Sequence, residues 1–255
     1  MLAFRIIKDT FIKFYDKLFK LILLNLILIT ALVIPLYILY QVDNVVVLII
    51  STLYIFVLIG PMSLSALNYI KDALDYTEDT TIKDFLRGIK ENFSRGFFAF
   101  LFTLIVYIIL SFDVFFFWTR ADNIFMFFVA IIFLYLFICF TFMQIYFWGL
   151  LSIREKDSIR LCIKNSFIVA IDNLFSTFFL LVFMLIFVSL CFVLPVMVPF
   201  FLLSTVFLIF IIATDYTMEK YRSIEEEAIP DAEIREGLAE DIDAKEIQDN
   251  NDSDS

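Results

Sequence analysis

Long, unbroken runs of apolar residues constrain this chain more than any other feature. A helix that crosses a bilayer needs about 20 mostly apolar residues, because the hydrocarbon core is about 30 Å thick and each residue rises about 1.5 Å. The runs are continuous rather than alternating, which argues against the strands of a membrane barrel. Six segments are apolar enough to be spans: Leu21–Tyr40, Val45–Leu67, Phe97–Trp118, Phe125–Leu150, Leu174–Leu194 and Phe200–Thr214.

The composition excludes an ordinary water-soluble domain. Hydrophobic residues make up 62% of the 255 residues, whereas a soluble domain has roughly 45–50%. The segment 174–214 is too long for one span, and Pro195 and Pro199 favour a turn inside it because neither can donate a backbone hydrogen bond. We therefore predict an all-α membrane protein whose six transmembrane helices form three hairpins.

The distribution of Lys and Arg predicts the orientation of these spans. Of the 19 basic residues, 18 lie in the segments 1–20, 71–96 and 152–173 or in the tail 215–255. The three connections on the opposite side contain only Arg120. Because cytoplasmic loops carry an excess of Lys and Arg, we expect a multi-pass protein of the cell membrane with both termini in the cytoplasm.

The negative charge of the chain belongs to its tail. Residues 215–255 carry a net charge of −11, whereas residues 1–214 carry +1. We predict a six-helix transmembrane domain over 1–214 and an acidic, mostly disordered cytoplasmic tail over 215–255. In the tail, a short helix with Ile234, Leu238 and Ile242 on one face could bind a partner, and a fully solvated tail is the alternative. The nearly neutral body has no surface suited to nucleic acid.

The three basic segments 1–20, 71–96 and 152–173 resemble one another, with ungapped offsets of 75 and 81 residues. Each has apolar residues at helical spacing and is followed by two spans. This pattern predicts three copies of one unit, an amphipathic interfacial helix followed by a transmembrane hairpin, related by an axis along the membrane normal. The matching triplets are Ile7-Lys8-Asp9, Ile82-Lys83-Asp84 and Ile163-Lys164-Asn165, then Asp16-Lys17-Leu18, Glu91-Asn92-Phe93 and Asp172-Asn173-Leu174.

A few polar or helix-bending residues inside the spans are candidate functional positions. Asp113 could face headgroups, pair with Arg120 two helical turns away, or contact a solute near the outer end of its span. Gln144 lies in the middle of its span, where an interhelical hydrogen bond is expected. Asn25 is expected at the membrane interface. Gly60 and Pro61 are a candidate helix kink, and a kink that forms part of a substrate site is the alternative interpretation.

The sequence offers little catalytic chemistry. It contains no His and three Cys, and its five Gly are isolated. A nucleophile would therefore lack its usual base, and no glycine loop is present to hold a phosphate. We predict a protein that is not an enzyme and that uses no metal or cofactor.

The second span and the segment after it contain Gly60-Pro61, Ala66, Asp84-Phe85 and Ile89–Phe93. In these residues the chain resembles the YesL-like family of bacterial membrane proteins, and the resemblance extends over Ile6–Tyr216 in span number and loop length. The family has no assigned function, and its genes often lie beside sugar importers. The resemblance implies an accessory or interaction role in carbohydrate uptake. From the sequence itself we expect the lipid bilayer as a partner, and other membrane or cytoplasmic proteins bound through the interfacial helices or the acidic tail. A small-solute transporter or channel is the alternative.

Overall fold

The computed structural model describes residues 2–42, 44–75, 80–120 and 123–221, which form helices and short connections. Three short helices are each followed by two longer helices. The first eight helices are α1 (Leu2–Asp16), α2 (Leu18–Gln41), α3 (Val45–Leu74), α4 (Ile82–Glu91), α5 (Phe93–Trp118), α6 (Ile124–Ile153), α7 (Ile159–Asp172) and α8 (Leu174–Val193). A 3-10 turn at Pro195–Met197 then leads into α9, residues 198–221.

The prediction of six long apolar helices is confirmed. In the described part of the chain, α2, α3, α5, α6, α8 and the segment Pro195–Tyr221 are each long and apolar enough to cross a membrane. Three helices continue past the C-terminal ends of the predicted spans by three residues or more: α3 from Leu67 to Leu74, α6 from Leu150 to Ile153, and α9 from residue 214 to residue 221. Hydropathy ends a predicted span at the first polar residues, but a helix ends only where its backbone is capped or broken.

The chain divides into two units, Met1–Asp215 and Tyr216–Ser255. The second unit is helical over its described residues, 216–221. The predicted tail helix with Ile234, Leu238 and Ile242 lies outside the described residues.

Three junctions between a short helix and a long helix have the same local structure. Single residues separate the paired helices: Lys17, Asn92 and Asn173, with ψ angles of 24°, 12° and 32°. These ψ angles lie outside the α-helical range. At each break the backbone N–H still donates to the carbonyl four residues earlier. The Asn92 and Asn173 side chains donate to those same carbonyls at 3.1 Å.

The buried residues are concentrated near the short helices. We call residues 60–74 of α3, 93–104 of α5 and 141–153 of α6 the short-helix half, and residues 45–59, 105–118 and 124–140 of the same helices the far half. In these three helices the buried residues lie in the short-helix half, apart from Ser51 and Ala130. The buried apolar cluster contains Leu64, Ala99, Met143, Phe147 and Leu151 of this half together with Cys162 of α7.

Each short helix packs on a long helix that is not the one following it. α4 packs on α3, α7 packs on α6 and α1 packs on α8. The long helices contact one another in the series α2–α3, α3–α5, α5–α6 and α6–α8, and α3 also contacts α6. Of the short helices, α7 contributes Cys162 to the buried cluster, and α1 packs through Phe11 and Phe14 on Phe183 of α8 and Phe201 of α9.

Candidate functional site

Gln144, the predicted mid-span polar residue, joins two helices. Its side chain is 7% exposed, and its Oε1 accepts a hydrogen bond from Thr103 Oγ1 on α5 at 3.4 Å. Its Nε2 is buried and has no hydrogen-bond partner among the described residues. Nearby, Tyr107 of α5 donates to Thr141 Oγ1 of α6 at 3.3 Å. These bonds connect α5 and α6 and leave one amide donor unused.

Asp113 and Arg120 are not brought together. Asp113 is half-buried on α5, and within the described residues no ion pair joins it to Arg120. Arg120 follows the end of α5, and its guanidinium carbon lies 3.7 Å from the centre of the Phe116 ring. The cation is therefore placed for a cation–π contact rather than for pairing with Asp113.

Gly60 and Pro61 lie where two helices come unusually close. α3 is helical on both sides of Pro61, and Gly60 faces Gly96 of α5. A Cβ added to Gly96 would lie 2.7 Å from Pro61 Cα and 2.9 Å from the Gly60 carbonyl carbon. Only glycine leaves room for this backbone contact. The dipeptide thus forms part of the α3–α5 packing contact.

Asn25 is fully buried and connects α2 to the start of α9. Its Nδ2 donates to Val198 O at 2.9 Å. Its Oδ1 accepts from the backbone N–H groups of Leu203 and Ser204 at 2.8 and 3.0 Å. The side chain therefore satisfies three backbone groups of another helix, a role that its position near the end of an apolar run did not indicate.

A polar cavity lies beside the short helix α4. Its volume is about 390 Å³. Ser65, Asn68, Tyr69 and Asp72 contribute to it from α3, at the spacing of one helix face. The other lining residues are Thr80, Asp84, Arg87, Gly88, Glu91, Asn92 and Glu155.

Local capping and packing hold α4 over this cavity. The Thr81 side chain and Asp84 form a capping box, in which Asp84 Oδ2 accepts from Thr81 N at 2.9 Å and from Thr81 Oγ1 at 2.7 Å. Phe85 is buried against Tyr69, with ring centres 6.4 Å apart. Ser65 Oγ donates to Phe85 O at 2.6 Å. These contacts fix α4 to the end of α3.

Two cations hold the end of α6 at the rim of the cavity. Lys71 pairs with Glu155 and also donates to Ser152 O at 3.4 Å. Arg95 donates to Arg154 O at 2.7 Å. Cations at a helix C-terminus interact favourably with its unpaired carbonyls and its dipole. The position of Glu155 is therefore set by residues of α3 and α5 together.

The electrostatics of the cavity are mixed rather than simply acidic. Asp72 and Glu155 both pair with Lys71, whose single positive charge offsets one of the four negative charges of the lining carboxylates. Hydrogen bonds from the Thr81 hydroxyl and backbone lower the pKa of Asp84, which stays ionised at neutral pH. Asn68 Oδ1 is buried and has no hydrogen-bond partner in the described structure. The cavity thus offers several acceptors and one guanidinium, that of Arg87, to a polar ligand.

Sequence reasoning missed this cavity because it sought polar residues inside the apolar runs. The signal was present at the end of the second predicted span and just beyond it, in the spacing of Ser65, Asn68, Tyr69 and Asp72. No family model, curated protein or solved structure matches the chain. The resemblance to the YesL-like family therefore stays a prediction.

Proposed function

We propose that this multi-span membrane protein is not an enzyme and acts by binding a partner protein at the membrane surface, on the side of its short helices. The observation that carries the proposal is the position of the polar cavity at the end of α3, beside α4, rather than along the middle of the spans. A partner could insert a polar side chain there without crossing the bilayer.

The polar groups within the long helices support the same interpretation. Gln144 bonds to Thr103, and the hydroxyls of Tyr146 and Thr177 lie 3.0 Å apart, so that these groups connect neighbouring helices. Asn25 likewise satisfies backbone groups of α9. Hydrogen bonds of this kind stabilise helix association in lipid.

The equivalent junctions support a threefold repeat of a short helix followed by a hairpin. The breaks at Lys17, Asn92 and Asn173 are separated by the offsets of 75 and 81 residues found in the sequence. Residues that these offsets relate are buried in all three helices. The two sets are Leu21, Gly96 and Thr177, and Leu24, Ala99 and Leu180. Shared register at the start of all three long helices is expected of repeated units.

We further propose that the short-helix side is cytoplasmic and that the partner belongs to a carbohydrate-uptake system. The orientation is supported by the excess of Lys and Arg on that side. The uptake system is suggested only by the sequence resemblance. Proteolysis of tags in intact and permeabilised cells tests the orientation, and cleavage at either terminus in intact cells would contradict it.

Co-purification with charge-reversal variants tests the binding function. Arg87 and Lys90 are both exposed on α4, but Arg87 lines the cavity and Lys90 does not. We expect Arg87→Glu to reduce recovery of the partner at least about tenfold, since a buried interface arginine commonly contributes more than about 1.4 kcal/mol. Lys90→Glu makes the same charge change and should have little effect. Equal losses in both variants, or repeated isolation of the wild type alone, would contradict the proposal.

A small-solute transporter is the second candidate, and the unpartnered Gln144 Nε2 is the observation that favours it. Transport through the bundle would require this amide to contact the solute. Uptake by proteoliposomes that is abolished by Gln144→Leu and retained by Arg87→Glu would favour transport over the binding function.

A further inference from the structure

We propose that the exposed surface of α1 binds the headgroups of anionic phospholipids. This interaction surface is distinct from the cavity beside α4 and does not depend on the proposed partner. It combines three features of α1: its attachment to long apolar helices, its exposed aromatic side chains and its unpaired cations.

The first feature fixes α1 against helices that are long enough to cross a membrane. Ile6 and Thr10 are among its buried residues. Phe11 packs edge-on against Phe183 of α8, with ring centres 6.0 Å apart. Phe14 packs against Phe201 of α9 at 5.4 Å. These contacts hold α1 beside the surface that α8 presents to lipid.

The second feature is a set of aromatic side chains that the protein leaves uncovered. Phe4, Phe11 and Tyr15 of α1 are each more than half exposed. Phe19, just after the junction with α2, is 87% exposed. At a helix attached to membrane spans, such side chains are stabilised by insertion at the boundary between headgroups and acyl chains.

The third feature is positive charge beside these aromatics. Arg5 and Lys8 are exposed on α1, and Lys13 is half-buried. The ion pairs described in the structure involve Lys71 and Arg154 and none of these three cations. Long basic side chains next to inserted aromatics reach the headgroup layer, where anionic lipids attract them.

The short helix α4 shows that this combination is not a property of every basic segment. The exposed cations Lys83 and Lys90 lie on α4, whose large exposed apolar side chain is Leu86, since Phe85 is turned inward. α4 thus carries comparable positive charge without the exposed aromatic group. Lys83 and Lys90 are therefore matched control positions for the cations of α1.

Lipid selectivity of the full-length protein tests the proposal. The protein is placed in nanodiscs of mixed phosphatidylglycerol and phosphatidylcholine, and the relative association of spin-labelled forms of both lipids is measured. We expect a preference for phosphatidylglycerol that falls at least about fivefold in Arg5→Gln/Lys8→Gln, since each cation near an anionic surface contributes about fivefold. The control Lys83→Gln/Lys90→Gln should retain the preference.

Two further measurements test whether the lipid preference depends on positive charge and whether free phosphate can replace the lipid headgroup. Arg5→Lys/Lys8→Arg keeps the charge and should keep the preference, so that a loss of preference in this variant would show that charge does not set it and would overturn the proposal. Inorganic phosphate should compete no better than sodium chloride at equal ionic strength. Equal association of both lipids with the wild type, or equal losses in the α1 and α4 variants, would also overturn it.

Discussion

The short-helix half and the far half belong to the same three membrane-length helices, α3, α5 and α6, but differ in what they contact. In the short-helix half, Gly60, Gly96 and Ala99 are buried where helices meet. In the far half, Phe, Ile and Val side chains are mostly exposed, and the small residue Ala130 is an exception that is fully buried. Hydropathy therefore indicates which helices enter the membrane, whereas small residues indicate where helices pack against one another in lipid.

The largest expected effect comes from Gly96→Leu in the short-helix half. The new side chain would collide with the backbone at Pro61, since even a Cβ would lie 2.7 Å from Pro61 Cα. We expect a loss of more than about 3 kcal/mol in the free energy of unfolding. The midpoint of thermal unfolding in detergent measures it.

Ser111→Leu is the matched control, because Ser111 is exposed on the same helix in the far half. It should leave the midpoint nearly unchanged. Similar destabilisation by both substitutions would contradict the claim that helix contacts are concentrated in the short-helix half.

A second effect distinguishes two adjacent residues of α4. Phe85 is 1% exposed and packs on Tyr69, whereas Leu86 is 55% exposed. Phe85→Ala should cost about 3 kcal/mol through lost burial and an unfilled cavity, and Leu86→Ala should cost less than about 0.5 kcal/mol. Chemical denaturation of both purified variants measures these costs, and equal values would show that α4 is not held by Phe85.

A smaller effect is expected from Asn25→Leu, which has nearly the same side-chain volume. The substitution leaves the backbone groups of Val198, Leu203 and Ser204 without their side-chain partner. We expect a cost of about 1–2 kcal/mol, measured by thermal unfolding in detergent. Thr52→Val is the control, because Thr52 is exposed in the far half and bonds only to Leu48 O. A neutral Asn25→Leu would show that these bonds do not hold α2 to α9.

The smallest effect concerns the pH dependence of the first turn of α4. Hydrogen bonds from Thr81 lower the pKa of Asp84 below its ordinary value of 3.8. The resulting stabilisation is present above pH 3.8 and is lost as the pH falls through the lower pKa of the folded state. Amide exchange at the start of α4 should therefore accelerate over that acidic window. Asp84→Asn should remove this pH dependence, and an unchanged profile in the variant would contradict the capping role.

The sequence predicted the six long helices because each apolar run is long enough to cross a bilayer. It could not predict that α3 continues to Leu74, because polar residues at the end of a span can extend a helix or begin a loop. It also could not place Asn25 in the helix contact with α9, since its partners lie more than 170 residues away.

The candidate site was less accessible from sequence than the fold. Asp113, Arg120 and Gln144 stood out as polar residues in or beside apolar runs, and the structure keeps them apart from the cavity beside α4. One lining residue of the cavity, Glu155, is held at the end of α3 by its ion pair with Lys71, which lies 84 residues earlier in the chain. Such juxtapositions follow from tertiary packing, which local patterns do not specify.

Labelling by a membrane-soluble carbene reagent tests most directly the claim that the two halves face different surroundings. The native protein in a bilayer is photolysed, and modified peptides are identified by mass spectrometry. We predict severalfold heavier labelling of residues 105–118 and 124–138 than of residues 142–152. Equal labelling of these segments, or heavier labelling of 142–152, would contradict the account.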